Sequence, residues 1–401
     1  FYRMPWRPWL PASAGMKRAG GVGGVLNRRT CPVRPILIAM LHPGAMKTDS
    51  GHGGGPALSA RVVAALDAGR ALAAVYVVLH HLTVRYGAPF PVSIAFRFGQ
   101  EAVLIFFLLS GFVIFASERE RALRPAGYAW RRVRRIYPPL LVAMAVSTLV
   151  ALDDGRLAGD FSLRALIGTL AGVQDIAALK PGVIVDPYLL NYPLWSLSYE
   201  LAFYLAFPFV LRLWRARPQL ASHVVGAAGC LAYAVYIARP GHFLLMVAYF
   251  PIWWTGAMAA RAYLDGDRSA RALVVPLGWL AALCVVAGAG IVVAGYRGAG
   301  VYPMLMLRHF ATALLLTAAL FGPIGAMLAG VVVRWRGTFA GTAAISYGLY
   351  VLHYPLLLQW HRATTPAEFV LAVALYWVVN RTRLGMIVRA GASNRTMAEF
   401  M

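Results

Sequence analysis

The sequence predicts an all-α protein: a polytopic membrane bundle of about ten transmembrane helices plus one short re-entrant or interfacial segment. Three observations lead there. Of 401 residues, 60% are hydrophobic and only 13% charged, and the mean hydropathy is +0.64, too apolar for a fold that keeps a water-facing surface. Apolar runs close to the ~20 residues that cross a bilayer recur along the chain. The basic residues behind the formal net charge of +23 fall in short segments between those runs, as positive-inside topology requires. No nucleic-acid-binding module accompanies that charge, so nucleic acid is not expected as a partner. The three cysteines, Cys31, Cys230 and Cys284, are scattered and form neither a disulfide framework nor a metal-ligand pattern.

Taken in order, residues 1–60 are rich in Pro, Gly, Arg and Lys and carry one acid, Asp49. They read as a disordered or non-native basic extension, with Met46 a candidate start. A membrane domain over 61–385 follows, then a tail over 386–401. The candidate spans are 69–86, 98–117, 136–152, 194–213, 221–238, 243–262, 272–295, 305–328, 339–360 and 366–380. Segment 163–178 is short and interrupted by Gln174 and Asp175. The connection 118–135 carries seven arginines against two glutamates. The basic ends at 212–217, 261–271 and 334–336 join it on one side only if 163–178 does not cross. Both termini are then expected on the cytoplasmic side. Neither an internal repeat nor a mirrored set of polar residues is visible, which weakens an inverted-repeat transporter.

Four stretches could carry chemistry. In residues 66–82, LDAGRALAAVYVVLHHL, Arg70 and His81 are eleven positions apart, about 1100° on a helix, so they share a face roughly 16 Å apart. That predicts a cation near one membrane surface and an imidazole deep in the hydrocarbon layer. A satisfied core histidine is the plainer alternative. In the second span, Ser110-Gly111 reads as a notch where helices approach closely, and Glu101 as a surface residue or a minor member of the site. Arg131, Arg132, Arg134 and Arg135 precede Ile136-Tyr137-Pro138, and the i, i+3 pair Arg132/Arg135 faces one way. Guanidinium forks there suit either the phosphates of a nucleotide-bearing donor or anionic headgroups. In YPLWSLSYELAFYLAF, Trp195 is expected at the outer interface. Glu200, with Tyr199 and Tyr204 nearby, needs a partner or a cavity inside the span. Finally, Ser346, Tyr350 and His353 form a polar stripe in ISYGLYVLHYPLLLQW at i, i+4 and i+7.

These residues together resemble the acyltransferase 3 family of bacterial integral-membrane acyltransferases, which includes O-acetylases of surface polysaccharides. The resemblance covers about residues 66–359. It rests on five ordered blocks: Arg70 with His81, FFLLSGFVI (106–114), Arg132 with Arg135-Ile136-Tyr137-Pro138, WSLSYE (195–200) and SYGLYVLHYP (346–355). The chain departs from the pattern at Leu104-Ile105, where an acid is common, and in NRTRLGMIVR after the last span.

The resemblance implies transfer of an acyl group, usually acetyl, from cytoplasmic acyl-CoA to a sugar hydroxyl of a surface or exported glycan, in a bacterial inner membrane. Polysaccharide-biosynthesis proteins are possible partners. It assigns catalysis to Arg70 and His81 and donor binding to Arg132 and Arg135, with Arg131 beside them. On chemical grounds a neutral imidazole at His81 can take the acceptor's proton or carry the acyl group. Glu200 can orient an imidazole or the sugar. Tyr199, Ser346, Tyr350 and His353 are candidates to touch substrate or support the site, and no metal is expected. A transporter or flippase for a lipid-linked sugar, with the same polar groups lining a pathway, is the competing class.

Overall fold

The computed structural model describes residues 58–267, 269–295, 303–321 and 323–361. Thirteen α-helices occur among them: α1 (Ala60–Arg85), α2 (Val92–Ala95), α3 (Gly99–Glu118), α4 (Pro125–Asp153), α5 (Leu157–Asp160), α6 (Leu163–Ala171), α7 (Trp195–Ala216), α8 (Pro218–Ala238), α9 (His242–Leu264), α10 (Val274–Ala294), α11 (Pro303–Phe321), α12 (Pro323–Arg334) and α13 (Arg336–His353). Segment Tyr354–Gln359 continues α13 in a wider π-type turn. No strand is present among the described residues; Gln174 and Val185 make one isolated bridge.

Among the described residues, eight helical stretches are long and apolar enough to cross a bilayer, and they coincide with the first eight expected spans. The chain is therefore an all-α, multi-pass membrane bundle. The eighth stretch ends at Phe321 rather than at residue 328. Pro323 opens a new helix there, because its fixed φ and missing N–H suit a first turn and not an interior. Helix α12, at twelve residues, rises only about 18 Å and is too short to span. The expected span 339–360 falls on the α13–π stretch, which is not among the eight; 366–380 lies outside the described residues.

The basic connections do converge at one end. Arg215 Nη2, at the close of α7, donates to Arg119 O at 2.6 Å and to Glu120 Oε2 at 2.8 Å. Ser59 N, ahead of α1, donates to Tyr263 OH at the close of α9, 3.1 Å away. The guanidinium of Arg261 lies 6.0 Å from the Trp214 ring centroid. At the opposite end, Trp360 Nε1 donates to Asp153 Oδ2 at 2.8 Å.

Segment 163–178 does not cross. Helix α6 has nine residues, and the chain from there to α7 folds into a cap over the non-basic end. Asn191 Nδ2 donates to Ser147 Oγ at 3.3 Å and to Val351 O at 3.2 Å, and Gln174 Nε2 to Leu194 O at 2.8 Å. Under the cap lies a fully buried ion pair, Lys180 Nζ to Asp175 at 2.9 and 3.0 Å. Asp175 also accepts from Tyr199 OH at 2.6 Å. Trp195 is not at an interface: it is buried, with Lys180 Nζ 3.8 Å from its ring centroid. A π-face beside a desolvated ammonium serves the charge better than lipid headgroups would serve the indole.

Helices α3 and α9 meet at glycines. A Cβ on Gly111 would stand 1.9 Å from Trp253 O, and one on Gly256 2.0 Å from Leu108 O. The Ser110-Gly111 notch is therefore a packing site, as small residues at membrane helix crossings usually are.

Lys180→Met leaves Asp175 buried without its cation, and loss of one partner of such a pair costs about 3–5 kcal/mol; thermal unfolding in detergent should show the drop. Burial pushes the Asp175 carboxyl up, but Lys180, His242 and Tyr199 outweigh it and hold the pKa down at about 2 instead of 3.8. Its contribution is present above pH 3.8 and lost as pH falls through 2. Melting temperatures of Asp175→Asn should accordingly decline less over that interval than those of the wild type.

Candidate active site

Helix α1 carries both halves of the site. Its register against α3 is antiparallel: a Cβ on Gly69 would lie 3.0 Å from Leu109 Cδ1, while Gly99 packs against the His80 ring. Arg70 is thus level with Ser110 in the middle of α3, and His81 is level with the start of α3. This reverses the expected depths. The helix begins at Ala60, where Ser59 Oγ accepts from Val62 N, ten residues before Arg70. His81 is four residues from its end at Arg85. Apolar runs mark what can sit in lipid; the serine cap decides where the helix starts.

Around the middle of the bundle, Glu200 accepts from Ser110 Oγ at 3.2 Å and from Tyr204 OH. Ser110 Oγ also accepts from Trp253 Nε1 at 3.3 Å and meets Tyr204 OH at 3.2 Å. Arg70 lies within electrostatic reach of Glu200, Tyr204 and Arg135, and its own helix supplies Asp67 at 3.6 Å. Tyr347, on α13, has a buried hydroxyl without a hydrogen-bond partner, within electrostatic reach of Glu200, Tyr204 and Arg135.

Closer to the basic end, Glu118 is fully buried and is shared by two arginines. Arg131 grips it with a fork, Nε to Oε1 at 2.9 Å and Nη2 to Oε2 at 2.6 Å. Arg132 Nη2 reaches Oε1 at 2.8 Å. The Arg132 guanidinium lies 5.5 Å from the ring centroids of both Tyr128 and Tyr204, which ties this group to the Glu200 group. Arg132 is only 4% exposed, yet its Nε and Nη1 have no partner. Buried donors left in that state are costly and call for an acceptor.

At the other end of α1 is a group of imidazoles. His81 Nδ1 lies 3.1 Å from His353 Nε2 and 3.0 Å from Val77 O. The ring of His80 is 5.0 Å from that of His81, and Tyr354 approaches His81 edge-on at 5.3 Å.

The other sequence candidates divide. Tyr199 serves the Asp175–Lys180 pair under the cap, not the Glu200 group. Tyr350 OH donates to Pro193 O at 2.7 Å and meets Ser196 Oγ at 2.9 Å, and Ser346 Oγ donates to Ala343 O at 2.8 Å; of that stripe, His353 alone reaches His81. Glu101 is buried, paired with Arg308 of α11. Glu200 bonds hydroxyls rather than an imidazole. Ser110, read from the sequence as a packing notch, and Tyr204, read as a hydroxyl near Glu200, both bond Glu200; Tyr347 and Glu118 are members that pattern reading does not single out. Tyr204 carries a signal, being i+4 from Glu200; Glu118 is one of the charges of the basic connection 118–135. Groups of three or more His, Cys, Asp or Glu suited to a metal do not occur among the described residues.

The sequence profile of the acyltransferase 3 family, an acyltransferase domain, matches residues 63–379. A protein named nodulation protein 10 from Rhizobium leguminosarum bv. viciae is 29% identical over 196 residues, 45% of this chain and 53% of that protein. One named acyltransferase MdmB from Streptomyces mycarofaciens is 38% identical over 122 residues, 30% of each chain. The chain thus matches about half the length of the first relative and less of the second. No solved structure matches.

Glu118→Ala strands two guanidinium groups at once and should cost about 3–5 kcal/mol of stability. Arg131→Ala should cost less, because Arg132 still neutralises Glu118. Thermal denaturation of the two variants in the same detergent checks the order.

Proposed function

The chain belongs to the acyltransferase 3 family; from that premise we propose that it is an acyltransferase that moves an acetyl group from cytoplasmic acetyl-CoA to a carbohydrate hydroxyl. The acceptor is a surface or exported polysaccharide or its lipid-linked precursor. The observation that carries the reading is the division of labour along α1. One helix holds Arg70 at mid-bundle, within electrostatic reach of Arg135 and Glu200, and, roughly 16 Å further towards the non-basic end, brings His81 into an imidazole group. An acyl-CoA has the matching shape: phosphates at one end, a thioester at the other, and an extended pantetheine arm between.

On this proposal the basic end faces the cytoplasm of a bacterial inner membrane, with both termini there. Arg132 and Arg135 take the donor's phosphates; the unpartnered Nε and Nη1 of Arg132 are the groups a phosphate oxygen would satisfy. Arg131 holds Glu118 in place. Arg70 and Glu200, the latter held by Tyr204 and Ser110, line the way from that clamp towards His81. The acceptor enters from the opposite end, where proteins that make or export the glycan would deliver it. His81 takes the hydroxyl proton as the oxygen attacks the thioester carbonyl. The C–S bond breaks, and the proton passes on to the departing thiolate. No metal enters the scheme.

His81→Ala should abolish acetyl transfer to glycan in membranes or nanodiscs while leaving yield and melting temperature near wild type; measurable turnover would remove the base from its role. Arg132→Lys keeps a charge but loses the planar fork, and KM for acetyl-CoA should rise about ten- to a hundredfold with a smaller change in kcat.

A further inference from the structure

We propose that His353 is a positioning residue that accepts a hydrogen bond from His81 Nδ1–H, so that Nε2 of His81 is the basic atom. The ring assignments follow from what surrounds each nitrogen. His353 Nδ1 lies 3.0 Å from Leu349 O and 2.8 Å from Tyr350 O. Carbonyl oxygens only accept, so Nδ1 carries a proton. A neutral imidazole has one N–H, which leaves His353 Nε2 as a bare acceptor. A doubly protonated ring is disfavoured, because His353 is fully buried and its ring neighbours Tyr350, Tyr354 and His81 are not anionic.

His353 Nε2 faces His81 Nδ1 at 3.1 Å. Two bare nitrogens would repel, so His81 Nδ1 carries the proton and shares it with Val77 O at 3.0 Å. His81 Nε2 is then the lone-pair atom. The tandem neighbour does not compete for this part. His80 Nδ1 lies 2.6 Å from Phe96 O, and its ring packs against Gly99, where even a Cβ would stand 2.2 Å from Cδ2. His80 pins the end of α1 to the following turn.

This arrangement matters most when His81 is charged. As its Nε2 accepts the proton of the attacking hydroxyl, the Nδ1–H···Nε2 bond to His353 becomes charge-assisted and stronger. The contact therefore supports the transition state more than the resting enzyme. Its catalytic consequence rests on His81 being the base, as proposed above; the bond and the tautomer do not.

The test separates the two. In 15N-histidine-labelled full-length protein in nanodiscs, His81 should show a protonated Nδ1 and a bare Nε2, with a nitrogen–nitrogen coupling across the bond to His353. A proton on His81 Nε2, or no such coupling, overturns the inference whatever the activity. His353→Leu should lower kcat about ten- to a hundredfold with KM for acetyl-CoA unchanged. His353→Gln, whose Oε1 can accept the same bond, should recover most of that loss. Equal kcat for the two variants would overturn the positioning role. Full activity of His81→Ala would instead sink the base assignment while leaving the coupling in place.

Discussion

Helices α3 and α9 meet with only glycine between their backbones, and the interior of the bundle is arranged around that contact. Gly111 faces Trp253 O and Gly256 faces Leu108 O at distances that admit no Cβ. The closeness sets the position of the neighbouring Ser110, which reaches Trp253 on α9 and Glu200 on α7 from one hydroxyl. A carboxylate inside an apolar bundle survives only where such donors are already in place. The packing constraint therefore precedes the chemistry: two glycines fix a serine, the serine and Tyr204 hold Glu200, and Glu200 gives Arg70 a counter-charge.

The same logic runs through the rest of the interior. Buried charges are matched across helices: Glu118 of α3 with Arg131 and Arg132 of α4, Glu101 of α3 with Arg308 of α11. In the cap, Asp175 is matched with Lys180. Such pairs add little net stability over apolar residues of the same shape, but they penalise any other register of the helices. In a membrane, where lipid tails solvate apolar surface as well as neighbouring helices do, that penalty is a strong source of specificity.

Much of this was legible in the sequence, and the losses have definable causes. The eight spans follow from apolar run length, and the non-crossing status of 163–178 from charge bias. Both signals are local or additive. The depth of Arg70 and His81 was misjudged because the start of α1 is set by Ser59 and not by the apolar run. Trp195 is assigned by a rule for lipid interfaces and Tyr199 by its nearness in sequence to Glu200, and neither signal can foresee a folded cap with Lys180 beneath it. Tyr347 lies between Ser346 and Tyr350, one step off the polar stripe, yet its hydroxyl is buried within electrostatic reach of Glu200. His353 was legible as a polar position, but its partner is 272 residues away in the chain, a separation that no periodicity spans.

The layout also weighs on the competing idea of a sugar pathway. A polyhydroxylated cargo that crosses the bundle needs polar partners at every depth, traded one for another as it moves. Along α1 the polar side chains gather in two groups of opposite character. The guanidinium group is partly neutralised by Glu118, Glu200 and Asp67 and keeps bare N–H donors on Arg132; among the described residues, the imidazole group has no carboxylate in contact with His81 or His353. Between them on α1 run nine apolar or aromatic residues, 71–79. A cation cluster suits anionic oxygens, a neutral imidazole suits a proton in transit, and an apolar stretch suits neither. That sequence of environments fits a ligand that is anionic at one end, flexible in the middle and reactive at the other, which is the architecture of an acyl thioester of coenzyme A and not of a sugar.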